Sequence, residues 1–253
     1  MIHVFILGYS GADYFNQWHP QVSYGDDIKF YFVDNGQQQL PEVIQDMLIY
    51  QTTKNIFCSG GWNLICDIAF NDLNLNKIII GQEDAIFTDE ILREIDKQTN
   101  QTTICGTYDR SFEFSLFGLH SETYKRVGRF DENFILGGNE DNDYKHRCKL
   151  CNVNVTSLNI PADYNRSLTG EERAKFNYTN STYLHDKWGQ PISDANKIYE
   201  YNTPYNSKLK QDQIPLTFNY RNYFNLADTY NTYMSNIEYN LYKLKNKIKN
   251  KLT

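Results

Sequence analysis

Short apolar runs, each stopped by a glycine or an acid and followed by a stretch with helical spacing, restrict the fold of this chain more than any other feature. Ile2 to Leu7 is apolar at nearly every position and ends at Gly8, as expected of a parallel strand buried on both faces. Ile28 to Val33 has the β-branched and aromatic content of a second strand and stops at the turn sequence Asp34-Asn35-Gly36. Between Leu40 and Gln51, Val43, Ile44, Met47 and Leu48 recur at helical spacing behind Pro41, which predicts a helix. Asn55 to Cys58 is expected as a short third strand, Ser59-Gly60-Gly61 as a turn, and Trp62 to Phe70 as a second helix. Lys77 to Ile80 is the next strand, ended by Gly81-Gln82-Glu83-Asp84. Thr88 then caps a helix to Lys97, with Ile91, Leu92 and Ile95 facing inward. Thr102 to Tyr108, Glu113 to Phe117 and Val153 to Ile160 complete the strands. Such alternation predicts an α/β fold with an open, mostly parallel, Rossmann-like sheet and helices on both faces. Ligands of such sheets bind at the carboxyl ends of the strands.

Carboxylates concentrate in one place. Gly137 and Gly138 are followed by Asn139, Glu140, Asp141 and Asp143, and then by Lys145, His146, Arg147 and Lys149. Read locally, this is a helix start: Asn139 suits the N-cap, the acids suit the positive end of the helix dipole, and the bases suit the other end. The same residues also set several carboxylates beside a glycine-rich loop.

The longer string decides between these readings. Lys-Arg-Val-Gly-Arg-Phe-Asp-Glu-Asn-Phe (125–134), Gly-Gly-Asn-Glu-Asp-Asn-Asp (137–143) and Arg147 resemble the second half of the catalytic domain of GT-A glycosyltransferases related to glycosyltransferase family 2. In that family a "VGxFDExF" run precedes "GxEDxD" and an Arg. The resemblance implies the GT-A, or nucleotide-diphospho-sugar transferase, fold, and it implies roles for particular residues. Tyr9, after the first strand, would lean on the nucleotide base. Asp34, in a "VDNG" strand end, would accept hydrogen bonds from the base or ribose. Asn63 lies on the helix behind the family's glycine-rich turn and would contact the donor. Gln82-Glu83-Asp84 falls on the Asp-x-Asp motif, so Glu83 would be donor-binding and Asp84 a ligand of a divalent metal, Mn2+ or Mg2+, although the first acid of the motif is here a Gln. Asp141, next to Glu140, would be the catalytic base. Lys187-Trp188-Gly189 resembles the "KWG" that follows the acidic motif, and His185 is a candidate further metal ligand.

The implied activity is transfer of a sugar from a UDP- or GDP-type donor to a hydroxyl of a glycan or lipid-linked acceptor, with inversion and metal dependence. A sugar-phosphate nucleotidyltransferase is the first alternative, but Gly8-Tyr9-Ser10-Gly11-Ala12-Asp13 lacks the basic residues such an enzyme needs after its first strand. A non-catalytic nucleotide-sugar-binding module is the second. The net charge of −6, with Lys243, Lys245, Lys247, Lys249 and Lys251 all near the C-terminus, leaves an acidic body that disfavours nucleic acid as a partner. Five scattered cysteines, with only Cys148 and Cys151 close together, argue for core thiols instead of a zinc site. With no signal segment and no spanning run, the expected location is cytoplasmic. The expected division is a catalytic domain over 1–190 and a C-terminal helical extension over 191–253. Within the extension, Ile237, Leu241, Leu244, Ile248 and Leu252 among lysines predict a basic amphipathic helix for peripheral membrane contact or self-association.

Overall fold

A computed structural model describes residues 1–9, 27–36, 40, 44, 47–52, 55–108, 114–134, 137–161, 180–181, 183–184 and 187–188. The chain divides into two compact units, the first made of residues 1–131 and 141–167, the second of 132–140 and 168–253.

The first unit is built on a seven-stranded sheet. Its strands are β1 (Ile2–Gly8), β2 (Ile28–Asp34), β3 (Leu48–Gln51), β4 (Lys77–Gln82), β5 (Thr103–Tyr108), β6 (Leu116–His120) and β7 (Asn154–Pro161), in the order β3-β2-β1-β4-β6-β5-β7. All neighbours are parallel except β6, which runs antiparallel to both β4 and β5. The helices are α1 (Phe57–Cys66), α2 (Asp89–Gln98), α3 (Ser121–Val127) and α4 (Glu140–Leu150).

The nearly continuous apolar character of β1 is explained by cover on both sides. Phe5 and Leu7 join Tyr31, Val33, Trp62 and Ile65 on one face, while Val4 and Ile6 join Phe30, Phe32, Phe87, Leu92 and Ile95 on the other. α1 therefore covers the first face and α2 the second. Thr88 caps α2 as expected, its hydroxyl accepting from the Ile91 N–H at 3.5 Å.

Two expectations fail around β3. Leu48–Gln51 is a strand, not the end of a helix, and pairs in parallel with β2 from Tyr31↔Leu48 to Asp34↔Gln51. The run Leu48-Ile49-Tyr50 fits a pleated edge, and four residues are too few for apolar spacing to tell the two periods apart. Asn55–Cys58, expected as a strand, instead leads into α1, which begins at Phe57. The glycines read as a turn lie inside that helix. A side chain at Gly61 would meet the Leu7 methyls at 2.5 Å, so glycine there lets the helix axis sit close on β1. After Cys66 the helix widens into a π-helical stretch over Asp67–Asp72. The strand expected over Glu113–Phe117 runs instead from Leu116 to His120.

His120 ends β6 and caps α3: its Nδ1 accepts from the Glu122 N–H at 3.1 Å. Burial lowers the pKa of this imidazole; Glu122 opposes that shift, and Lys77 and Lys125 reinforce it. A protonated imidazole has no acceptor at Nδ1. The unfolded chain therefore takes up this proton at higher pH than the folded one. The stabilisation is complete above the free value of about 6.5 and is lost as pH falls through the lower folded value. The expected result is a larger drop in Tm between pH 7.5 and 5.5 for the wild type than for His120→Asn, which caps without titrating. Equal drops would exclude the cap as the cause.

In the second unit, Phe134, Leu184 and Trp188 form a small buried cluster, with the Tyr183 ring edge-on to Phe134 at 5.0 Å. The Lys-Trp part of the "KWG" string belongs to it: Trp188 is 1% exposed, and the Lys187 ammonium stands 5.6 Å from its ring centre. Residues 191–253, with the expected helix over 236–253, lie outside the described residues. No described helix is long and apolar enough to cross a membrane.

Candidate active site

In the order β2-β1-β4 the strands run out in opposite directions from β1, the position at which open α/β sheets form a crevice at their carboxyl ends. The sequence there supplies Tyr9, Asp34, Glu83 and Asp84, and direct contacts tie these strand ends together. Glu83 is buried and accepts the Tyr9 backbone N–H at 2.8 Å, while its own N–H donates to the Leu7 carbonyl at 3.1 Å. Gly36, two residues past Asp34, lies so close to the Tyr9 carbonyl that no side chain could stand there. The Tyr9 side chain is 43% exposed, a flat aromatic surface held out from a fixed backbone. Glu83 thus holds the Tyr9 loop as well as lying in the acidic triplet.

Asp34 is fully buried. Its Oδ1 accepts the Gly36 N–H at 3.0 Å and its Oδ2 accepts the Gln51 side-chain amide at 2.8 Å. The adjacent Asn35, read from sequence only as part of a turn, is a junction. Its Nδ2 donates to Asn55 Oδ1 at 3.0 Å and to the Phe57 carbonyl at 3.2 Å, and its Oδ1 accepts the Ile56 N–H at 2.8 Å. These bonds fix the start of α1 against the end of β2. The Asn-Gly pair was the only sequence signal for it.

Asn63 departs from the role the resemblance implies. Its Nδ2 donates to the Phe130 carbonyl at 2.9 Å, and its Oδ1 accepts both the Phe130 N–H at 2.9 Å and the Tyr124 hydroxyl at 3.1 Å. The side chain is fully buried, and its amide clasps the backbone of the Arg129–Asp131 segment to α1. We therefore assign it to the scaffold and not to the donor.

The acid-rich string separates into two kinds of residue. Asp143 and Arg147 are an interior pair, 0% and 2% exposed, joined from Nε to Oδ2 at 2.9 Å. Arg147 also donates to the Val127 carbonyl at 3.0 Å. Burial opposes the charge of this guanidinium, but Asp143, Tyr144 and Asp131 outweigh it, so its pKa is raised. Tyr144 stacks on Phe130 at 4.0 Å and meets Phe114 edge-on at 5.9 Å. Burial drives its phenol pKa well up, as it does the thiol of Cys148. Cys148 and Cys151 are free thiols, as expected.

Asp141 lies two residues before Asp143 on α4 and keeps some exposure, its Oδ2 3.4 Å from the Lys145 ammonium. Tyr144 attaches this helix to Phe114, and Ser115 beside it accepts the Gln82 N–H at 2.8 Å. The first turns of α4 are thereby anchored to the edge where β4 ends. In the second unit, Glu140 accepts the Gly138 N–H, and Gly137, Gly138 and Asn139 all have positive φ.

In the triplet at β4, the Gln82 amide donates to Cys58 Sγ at 3.4 Å, Glu83 is committed to the Tyr9 N–H, and Asp84 is half-buried. Among the described residues no three His, Cys, Asp or Glu side chains gather around a possible ion; His185 lies outside them. The described side chains therefore make no protein-only cage. A hard cation of the Mg2+ type needs only one or two carboxylates and completes its shell from phosphate oxygens and water. Asp84 is the residue that would hold it.

No protein-family model and no curated protein sequence matches the chain. Solved structures do. The chain is similar to glucosyl-3-phosphoglycerate synthase from Mycobacterium tuberculosis, a structure in complex with Mn2+, UDP and glucosyl-3-phosphoglycerate. The identity is 9%, with 76% of this chain and 81% of that one covered at a TM-score of 0.52. Further matches are S. aureus TarS, 12% identical over 73% of this chain and 72% of that one at a TM-score of 0.48, and a nucleotide-diphospho-sugar transferase from Desulfovibrio desulfuricans, 12% identical over 62% and 80% at 0.45. The fold is the GT-A fold of nucleotide-diphospho-sugar transferases, with the mixed, mostly parallel sheet that the alternation of strands and helices predicts.

Proposed function

We propose that this chain is a glycosyltransferase that moves a sugar from a nucleotide-diphosphate donor, of UDP or GDP type, to a hydroxyl of a glycan or lipid-linked acceptor, with inversion. One observation carries the reading. Three strand ends at the reversal of the sheet, bearing Tyr9, Asp34 and Glu83-Asp84, are locked to one another through Gly36 and the Glu83–Tyr9 bond.

In this reading the base lies against the exposed Tyr9 ring and donates to Asp34. Asp84 would hold a divalent ion, which as a Lewis acid would stabilise the charge that builds on the departing diphosphate. Asp141 accepts the proton of the acceptor hydroxyl as its oxygen bonds to the anomeric carbon. The bond to the diphosphate breaks on the opposite side, and the nucleoside diphosphate leaves with the electron pair. The choice of Asp141 over Glu140 as the base rests on the family resemblance, in which the second acid of the pair has that role. Orientation of the two substrates supplies much of the remaining rate. The Mn2+ and UDP of the Mycobacterium tuberculosis structure support a nucleotide donor and a divalent ion at the coarse level.

The test is a panel of UDP- and GDP-sugars screened by thermal shift with Mn2+, with Mg2+ and with EDTA. At a hundredfold excess over Kd the right donor adds about 2.7 kcal/mol of stability, roughly 5–10 °C in Tm for a chain of this size, and EDTA removes most of it. No shift with any sugar nucleotide under any condition would overturn the proposal.

A further inference from the structure

We propose that Gln51 is a stand-in for the nucleotide base: its side-chain amide occupies the acceptor position of Asp34 and is displaced when a base N–H arrives. The inference rests on the reading above in which Asp34 meets the base, and it adds to that reading a residue which sets donor affinity.

Asp34 is an acceptor-only side chain with no solvent exposure. One oxygen is satisfied internally by the Gly36 N–H at 3.0 Å. The other is satisfied by a residue of a different kind. Gln51 is the last residue of β3, the edge strand of the sheet, and is itself exposed. Register places it directly beside Asp34, and the Thr52 N–H bonds to the Asp34 carbonyl at 3.0 Å, so its backbone is fixed while its side chain reaches back 2.8 Å to Oδ2. The amide is one of the donors that offset the desolvation of this buried carboxylate. An exposed Gln on an edge strand has a long rotatable stem, and swinging its amide into water costs little because water takes over its hydrogen bonds.

The N–H of a glutamine amide and the imide N–H of a pyrimidine or purine ring are equivalent donors to a carboxylate. A base that bonds to Asp34 through this oxygen must first break the Gln51 bond, so the side chain weakens donor binding. Removing the competitor tightens binding of any nucleotide that uses Asp34, and does nothing for one that lacks the N–H.

The test titrates UDP, GDP and N3-methyl-UDP into the wild type, Gln51→Met, Gln51→Ala and Asp34→Asn by calorimetry, all in the presence of Mn2+. Met keeps the length of the side chain without a donor. The expected result is that whichever of UDP and GDP binds the wild type binds both Gln51 variants about three- to tenfold tighter, the net worth of one ordinary hydrogen bond. N3-methyl-UDP is expected to show no gain. Weaker or unchanged binding in both Gln51 variants, while Asp34→Asn still loses affinity, overturns the inference alone. If Asp34→Asn binds as well as the wild type, or no nucleotide binds at all, the base-binding reading falls and this inference with it.

Discussion

Asp141→Asn is expected to reduce sugar transfer by about a hundred- to ten-thousandfold, the range spanned by general base catalysis, while leaving the affinity for the donor within a factor of about two, since no partner of the substituted group belongs to the base or diphosphate contacts. Asparagine keeps the shape of the side chain and an oxygen for the Lys145 ammonium, 3.4 Å away in the parent protein, but it cannot take up the acceptor's proton. A single-turnover assay with bound donor separates the two effects. Retention of more than about a tenth of the wild-type rate would remove Asp141 from the chemistry and would favour a binding module in which the acids of α4 only cap a helix.

The second large effect concerns stability. Asp143→Ala leaves the Arg147 guanidinium, 2% exposed, without the carboxylate that outweighs its burial. Breaking a buried pair from one side costs about 3–5 kcal/mol. The double substitution Asp143→Leu with Arg147→Met replaces both charges by apolar volume and is expected to recover more than half of that loss. Urea unfolding followed by circular dichroism measures both. A loss below about 1 kcal/mol for Asp143→Ala would mean that the pair is no better than a surface one.

These two acids stand two residues apart in the same string, and the sequence does not separate their roles. Asp143 and Arg147 are four residues apart, so their pairing on one helix face is legible. That the pair lies inside the protein is not, because burial comes from Tyr144 meeting Phe130 and Phe114, contacts formed across the fold. Asn63 shows the same limit. Its partner Phe130 is 67 positions away, and no local pattern announces a clasp of that span. The alternation of strands and helices was legible because it depends on periodicity and on residues that stop strands. It failed at Leu48–Gln51, where the strand is short, and at Gly60-Gly61, where glycine serves close helix–strand contact and not a turn. The position of Tyr9, Asp34 and Glu83 at strand ends was legible from the residues that stop each apolar run. Gln51 was not, since its part depends on the register of an edge strand that spacing had read as helix.

The aromatic contacts of Trp62 bear on how the protein is made. Its indole, fully buried, is covered by Phe114, Phe117 and Phe130, all of which emerge from the ribosome long after β1, β2 and α1. During synthesis the early half of the sheet carries an uncovered apolar face until the chain has grown past residue 130. The Trp62 face of α1 is thus among the last parts of the first unit to be covered.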